Sequence, residues 1–143
     1  MNQSVKNVKP GAGPRHLAIH PNKKFAYGIS EMGSMVTVYN LSEGVLTGPN
    51  EQTCVQSIST IPEGWTGVKE ITKTVKYNHC AHIVVSSDGK FVYGSNRGHE
   101  SIVVYSVNQE DGTLSLVDHT DVEGSIPRNF GISPDGEYML IAC

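Results

Sequence analysis

The sequence of 143 residues is poor in charge: charged residues make up 17% of it and the formal net charge is −3. Its longest basic stretch is Lys23-Lys24, whereas domains that bind nucleic acid usually carry an extended basic patch. No apolar run approaches the roughly 18 residues that a membrane-spanning helix needs. We therefore expect neither a nucleic-acid partner nor a membrane-embedded segment.

Cysteine is also scarce. Cys54, Cys80 and Cys143 show no spacing typical of a disulfide framework, and the polar segment 1–13 lacks the apolar core of a secretory signal peptide. Reduced thiols and a cytoplasmic location are therefore expected. His79, Cys80 and His82 could offer ligands to a soft metal, but a structural zinc site usually has four ligands. We expect no metal and no cofactor.

Three stretches of the sequence resemble one another, at 14–27, 80–93 and 127–140. Each contains a short apolar run, a polar turn and a second apolar run. Their equivalent positions, His16, His82 and Asn129, are 66 and 47 residues apart. A strand-rich repeat near 45 residues is typical of a β-propeller blade. The longer interval then includes an insertion of about 20 residues, beyond the usual blade length.

Runs of Val, Ile, Tyr and Phe separated by Gly, Asn, Asp and Pro predict four strands in each complete unit. The predicted strands lie near 15–20, 25–31, 35–41 and 54–60, and near 82–86, 91–96, 101–107 and 114–122. Asp-Gly pairs at 88–89, 111–112 and 135–136 predict tight turns, because Gly accepts a positive φ. Asp88 and Asp135 are thus interpreted as turn residues. A further turn is predicted for 42–49, and 63–78 is the insertion.

These patterns predict an all-β fold, a β-propeller of four-stranded antiparallel blades with about two and a half blades present. The predicted units are a blade at about 11–61, a blade with the insertion at about 62–123, and an incomplete blade at about 124–143. Propellers close with four to eight blades. An unclosed arc leaves apolar blade faces uncovered, so we expect missing blades or self-association to cover them.

The predicted hairpins bring polar side chains to one edge of the sheets. His16 and Glu31 flank one turn and are expected to be cross-strand neighbours, and His82 is expected to face Asn96 or Arg97 in the same way. Because blades are arranged alike around a channel, these positions should meet near its mouth. The complete set is Arg15, His16, Glu31, His82, Asn96, Arg97, Arg128 and Asn129.

This polar set fits an anionic ligand, because Arg makes bidentate contacts with phosphate or carboxylate. His16 is a candidate general base. Alternatively, His16 and Glu31 hold a reactive water between them. The alternative is that polar residues at strand ends only satisfy loop backbone groups. No Gly-x-Ser-x-Gly motif is present, so nothing supports a serine hydrolase.

Five motifs occur in a fixed order along the sequence: Gly13-Pro14-Arg15-His16 with the Leu-Ala-Ile-His-Pro that follows, Ser30-Glu31, Thr60-Ile-Pro-Glu-Gly64, Asp88 to Gly98, and Pro127-Arg128-Asn129-Phe130. In this order they resemble motifs of the seven-bladed β-propeller lactonase family, which includes propeller-type 6-phosphogluconolactonases and a carboxymuconate cyclase. The resemblance extends from about Gly11 to Ala142.

The resemblance implies catalytic roles for a His, a Glu and two Arg at the channel mouth, which fall on His16, Glu31, Arg97 and Arg128. The other members of the polar set are expected to bind substrate: Arg15, Asn96, Asn129 and His82. The implied activity is metal-free hydrolysis of a small anionic sugar lactone, 6-phosphogluconolactone foremost, in the pentose phosphate pathway. The alternatives are a non-catalytic binding propeller, an inactive fragment, and a muconate lactone cyclase.

Overall fold

A computed structural model describes residues 8–42, 45–46, 54–66 and 77–143. Regular structure in these ranges consists of β-strands, and none of the described residues form a helix suited to spanning a bilayer. The strands are β1 (Pro14–Ile19), β2 (Phe25–Ser30), β3 (Met35–Ser42), β4 (Val45–Leu46), β5 (Cys54–Ser59), β6 (His79–Val85), β7 (Phe91–Arg97), β8 (Ser101–Val107), β9 (Leu114–Asp121), β10 (Asn129–Ile132) and β11 (Met139–Ala142).

The strands form three antiparallel sheets. The first has the order β1-β2-β3-β5, with β4 paired to the end of β3; the second has the order β6-β7-β8-β9; the third is the hairpin β10-β11. Apart from the two-residue β4, strands that follow one another in the chain are neighbours in each sheet, which is the arrangement of a propeller blade. The predicted all-β class is therefore confirmed. The proposed blade boundaries stay predictions.

Two sequence-based boundaries differ from the structure. The range 42–49 was expected to be a turn, but it contains β4, whose Val45 pairs with Ser42. β6 begins at His79 rather than near residue 82, because His79 pairs with Arg97 and Cys80 with Asn96 on β7. In addition, the Cys80 N–H donates to the Glu31 carbonyl oxygen, 3.0 Å away. That contact comes from another sheet, so local sequence could not reveal it. Most of the predicted insertion, 67–76, lies outside the described residues.

The apolar core lies between the first two sheets. Phe25, Tyr27 and Ile29 alternate along β2 and so point to the same face. They pack with apolar side chains of the second sheet, and burial of each is favourable by about 1.5–3 kcal/mol. The buried cluster consists of Phe25, Tyr27, Ile29, Val36, Val38, Cys80, Ile83, Val92, Val103, Tyr105, Val107 and Leu114.

The turns also join the two sheets. His20 is buried, and its Nε2 lies 2.9 Å from the Gly89 carbonyl oxygen while its Nδ1 accepts the Asn22 N–H at 3.2 Å. The hydroxyl of Tyr27 donates to the Gly112 carbonyl oxygen at 3.2 Å. Both glycines belong to predicted Asp-Gly turns, so these turns lock the sheets together as well as reversing the chain.

The Asp side chains of these turns act locally, as predicted. Asp88 Oδ1 accepts the Lys90 N–H at 3.0 Å, and Asp135 Oδ1 accepts the Glu137 N–H at 3.1 Å. These hydrogen bonds mimic a backbone turn and lower the pKa of both carboxyls, with the contacts from Ser86 and Ser133 the largest cause. The interpretation of Asp88 and Asp135 as turn residues is confirmed.

Large apolar side chains remain exposed at both ends of the described structure. On the third sheet, Leu140 is 81% and Tyr138 67% exposed, and on β1, Leu17 and Ile19 are each 56% exposed. Such surface agrees with the expectation that the sheets of an arc need further partners. The identity of those partners stays a prediction.

Two glycines in equivalent turns give a matched test of the packing between sheets. Gly89 and Gly136 have φ values of 73° and 77°, but a Cβ on Gly89 would lie 2.6 Å from the His20 ring, while a Cβ on Gly136 would meet nothing within 4 Å. Gly136→Ala should cost about 1 kcal/mol from backbone strain. Gly89→Ala should cost roughly 2–4 kcal/mol, because overpacking adds to that strain.

Urea unfolding of the full-length protein and both variants measures the difference. Equal losses of unfolding free energy would show that the His20–Gly89 contact does not hold the sheets together.

Candidate functional site

An ion pair connects the first two sheets where β2 and β7 end. A guanidinium nitrogen of Arg97, Nη2, donates to Glu31 Oε1. Arg97 is only 7% exposed and also donates to the carbonyl oxygens of His79, at 3.1 Å, and Cys80, at 2.9 Å. The N–H groups of Arg97 thus donate to the Glu31 carboxylate and to backbone carbonyl oxygens at the start of β6. Arg97 lies on the interior side of Glu31. Arg97 is therefore placed to position Glu31.

Arg15 reaches the same carboxylate from the exposed side. Its Nε lies 3.5 Å from Glu31 Oε2, and its Nη1 donates to the Ala81 carbonyl oxygen. The pKa of Glu31 is lowered, mainly by the hydrogen bond from Arg97 and further by the charges of Arg97 and Arg15, although burial opposes the shift. Glu31 is accordingly an anion held between two guanidinium groups, and therefore a weak base.

Two imidazoles lie next to this ion pair. The Nδ1 atoms of His16 and His82 are 2.9 Å apart, and Arg15 Nη1 lies 3.4 Å from His16 Nε2. Arg can only donate, so His16 Nε2 accepts and a neutral His16 carries its hydrogen on Nδ1, where it donates to His82. Burial, followed by the Arg15 charge, lowers the pKa of His16, and Glu31 opposes this shift. Burial, His16 and Arg15 lower the pKa of His82.

The predicted cross-strand pairs are wrong in register. A bulge at Arg15 places His16 opposite Ile29, so Glu31 lies in the turn beyond and contacts Arg15 instead. His79 faces Arg97 and Cys80 faces Asn96, and a second irregularity follows before Ile83. His82 therefore donates its backbone N–H to Ser95 Oγ at 3.0 Å. Bulges add one residue to one strand, which an alternating pattern does not reveal.

A hollow of about 480 Å³ opens beside His16 and Arg15. Arg128 and Asn129, both exposed, line it at the start of β10. The residues that line this hollow are Arg15, His16, Ser125, Ile126, Arg128, Asn129, Ala142 and Cys143. Four of the predicted site residues thus share one surface.

Asn96 is not on that surface. Its side chain has no exposed area, and its Nδ2 donates to the Thr60 carbonyl oxygen at 2.7 Å while its Oδ1 accepts from Asn78 at 2.9 Å. The predicted substrate contact of Asn96 is contradicted by this placement, because strand alternation points it into the interface between the sheets. Burial raises the pKa of the neighbouring Cys80 to about 11, so that thiol stays protonated.

Two residues of the site were missed by sequence reasoning. Phe130 packs edge-on against His82, with ring centroids 5.1 Å apart, and Asn78 holds Asn96. Phe130 follows Arg128-Asn129 in one of the repeats, so the sequence pattern draws attention to it. The pattern does not reveal that its ring contacts a side chain of another sheet. Among the residues that the structure describes, no group of three or more His, Cys, Asp or Glu is arranged to hold a metal ion.

The described side chains therefore combine a neutral imidazole with an unprotonated Nε2, a fixed carboxylate, the partly buried guanidinium group of Arg15 and the exposed one of Arg128. Such a set can accept a proton and stabilise negative charge on one ligand.

Acid should weaken the link between the sheets. The pKa of Glu31 is lowered in the folded state, so its contribution to stability is present above its unfolded pKa and is lost as pH falls through the folded pKa. Glu31→Gln should therefore reduce the free energy of unfolding more at pH 7 than at pH 3. Urea titrations at both pH values measure this, with the exposed Glu137→Gln as control. A Glu31→Gln loss that is the same at both pH values would contradict the ion-pair assignment.

The sequence was compared with known protein families and curated proteins. Residues 2–143 match the family described as lactonase, 7-bladed beta-propeller. The chain is 38% identical over 137 residues to a 6-phosphogluconolactonase of Formosa agariphila, covering 94% of this chain and 34% of that protein. It is 38% identical over 133 residues to the 6-phosphogluconolactonase of Bacillus subtilis, covering 92% and 34%. The chain thus spans about a third of the length of these relatives.

Solved structures agree with this match. A periplasmic gluconolactonase of Pseudomonas aeruginosa superposes with a TM-score of 0.80 at 31% identity, over 94% of this chain and 34% of that one. A protein from Lactobacillus plantarum superposes with a TM-score of 0.82 at 30% identity, over 97% and 37%. The predicted partial propeller is confirmed, and the chain belongs to the seven-bladed β-propeller lactonase family.

Proposed function

We propose that the full-length protein hydrolyses a sugar lactone, with 6-phosphogluconolactone as its substrate. The observation that carries this proposal is the grouping of Arg15, His16, Arg128 and Asn129 around one hollow. Relatives from two organisms are described as 6-phosphogluconolactonases, which supports the choice of substrate. The cytoplasmic location and the pentose phosphate pathway stay predictions, and one similar structure is described as periplasmic.

His16 is the proposed general base. Its lowered pKa keeps the imidazole neutral at pH 7, and the hydrogen bond from Arg15 identifies Nε2 as the unprotonated nitrogen. Its electron pair becomes available to the attacking water when Arg15 donates to the substrate instead. Glu31 is the weaker candidate, because two guanidinium groups stabilise its anion. We assign Glu31 the task of fixing Arg15, with Arg97 supporting it from the interior.

The guanidinium groups of Arg15 and Arg128, which both line the hollow, would stabilise the negative charges of the substrate and the transition state. During hydrolysis, water adds to the lactone carbonyl carbon while His16 takes a proton from that water, and the carbonyl oxygen becomes an oxyanion. Arg15 lies against His16 and would stabilise this oxyanion. Arg128 would bind the phosphate, since a guanidinium group matches two phosphate oxygens.

The reaction ends when the ring C–O bond of the ester breaks. His16 returns its proton to the departing ring oxygen, which becomes the hydroxyl of the product, and the carbonyl carbon becomes the carboxylic acid, which then ionises. His82 accepts the Nδ1 hydrogen bond of His16 and so holds the tautomer in which Nε2 can accept the proton.

Substitutions separate the two roles. His16→Ala should lower kcat for 6-phosphogluconolactone roughly 10²–10⁴-fold by removing the base. Arg128→Ala should raise KM roughly 10–100-fold, because a charge-assisted contact to the phosphate is lost. Initial rates of acid release by the full-length protein, corrected for spontaneous hydrolysis, measure both effects.

Lys90→Ala is the control for loss of a cation, since Lys90 is exposed and pairs with Asp88 in a turn. Rates equal to wild type in both His16→Ala and Arg128→Ala would remove these residues from the reaction. Binding of the lactone without turnover by the wild-type protein would favour a binding propeller.

The pH dependence tests His16 independently. Activity should persist at pH 7 and decline as His16 becomes protonated, so the acid limb of kcat/KM should have an apparent pKa below the ordinary histidine value of 6.5. The value belongs to the coupled His16–His82 pair. Arg15→Gln should move this limb to higher pH by removing a positive charge. A limb at or above 6.5 in the wild type would argue against His16 as base.

A further inference from the structure

Arg128 and Asn129 reach the hollow from the end of a connecting segment, residues 122–128, which we call the crossover segment. It leads from β9 to β10, and it also provides Ser125 and Ile126 to the wall of the hollow. The position of Arg128 therefore depends on what fixes this segment. The backbone N–H of Arg128 donates to the Ala142 carbonyl oxygen at 2.9 Å, which fixes only the end nearest β10.

Glu100 holds the other end. This residue closes the turn between β7 and β8 and is only 4% exposed. Its Oε1 accepts the Gly98 N–H at 3.0 Å, and its Oε2 accepts the Ile126 N–H at 2.5 Å. Its backbone carbonyl oxygen accepts the Val122 N–H at 3.0 Å. One residue of the second sheet thus binds the crossover segment at two points.

The conformation at Ile126 shows why such a contact is needed. Ile126 has a φ of 60°, which is unfavourable for a β-branched residue and persists only when its surroundings impose it. Hydrogen bonds to an ionised carboxylate are stronger than neutral ones. The buried Pro127 follows directly and continues the chain into Arg128. The carboxylate of Glu100 is therefore well placed to impose the strained turn.

We propose that Glu100 is a positioning residue that clamps the crossover segment and thereby presents Arg128 to the hollow. It does so through the backbone of Ile126 and does not itself line the hollow. This inference rests on the proposed function for its catalytic consequence, namely that Arg128 binds the phosphate of the substrate. The clamp consists of hydrogen bonds between Glu100 and the backbone of the crossover segment. Its strength can therefore be measured by hydrogen exchange, without an activity assay.

The test compares Glu100→Gln with Glu123→Gln in the full-length protein. Glu100→Gln keeps the shape of the side chain but replaces one acceptor oxygen by an NH₂ group and removes the charge. One of the two N–H contacts is therefore lost, and the other, even where it is the one from Ile126, no longer has a charged acceptor. Glu123 lies in the same crossover segment but is exposed, and its substitution is the matched control. Should Glu100→Gln not yield folded protein, Glu100→Asp serves, because its shorter carboxylate cannot reach both N–H groups.

The first measurement is hydrogen–deuterium exchange of peptides covering 122–128. Exchange there should be at least about 10-fold faster in Glu100→Gln than in wild type, corresponding to about 1.4 kcal/mol, and unchanged in Glu123→Gln. Unchanged exchange in Glu100→Gln overturns the clamp whatever the enzyme does. If the wild-type protein hydrolyses no lactone, the proposed function fails and this measurement alone decides the inference.

The second measurement is substrate selectivity. Glu100→Gln should raise KM for 6-phosphogluconolactone about 10-fold and leave kcat/KM for the unphosphorylated gluconolactone within about two-fold. In an Arg128→Ala background, Glu100→Gln should have no further effect on KM, since both substitutions then act on one contact. An equal loss for both lactones, or additive effects of the two substitutions, overturns the assignment to Arg128.

Discussion

The ion pair between Glu31 and Arg97 is the contact on which the rest of the site depends. Arg97 lies almost entirely inside the protein, where an unpaired charge is costly, and its donors are satisfied by a carboxylate of one sheet and by backbone carbonyl oxygens at the start of another. This pair fixes where β6 begins relative to β2. The placement of His82 beside His16 follows from it, because His82 lies two residues after Cys80, whose carbonyl oxygen accepts from Arg97.

Burial and pairing give the three arginines of the sequence different roles. Arg97 is buried behind Glu31, Arg15 is partly buried against His16, and Arg128 is exposed. A guanidinium group that is fully paired inside the protein supports structure, whereas one that borders open space can meet a ligand. The same reasoning separates Glu31, a stabilised anion, from His16, a neutral acceptor.

The relation to longer relatives gives the hollow its context. The chain corresponds to about a third of each curated relative described above, and the hollow is bordered by β10 and β11, of which β11 carries the exposed Leu140 and Ile141. In a propeller, the inner ends of the blades surround a central channel that several blades share. The proposed reaction is accordingly assigned to the full-length protein, in which these residues are proposed to provide an imidazole base and cation sites.

The sequence alone determined the all-β class, most of the strands, the Asp-Gly turns and the placement of His16, Glu31, Arg97 and Arg128 at or beside strand ends, because hydrophobic alternation and turn chemistry are local and repeat along the chain. Tertiary structure alone decided the bulges at Arg15 and before Ile83, the burial of Asn96 and the pairing of His16 with His82. Those features depend on contacts between residues distant in the sequence, with 66 positions between His16 and His82 and 36 between Thr60 and Asn96. Close packing and the need to pair buried charge select one register among several that the pattern allows.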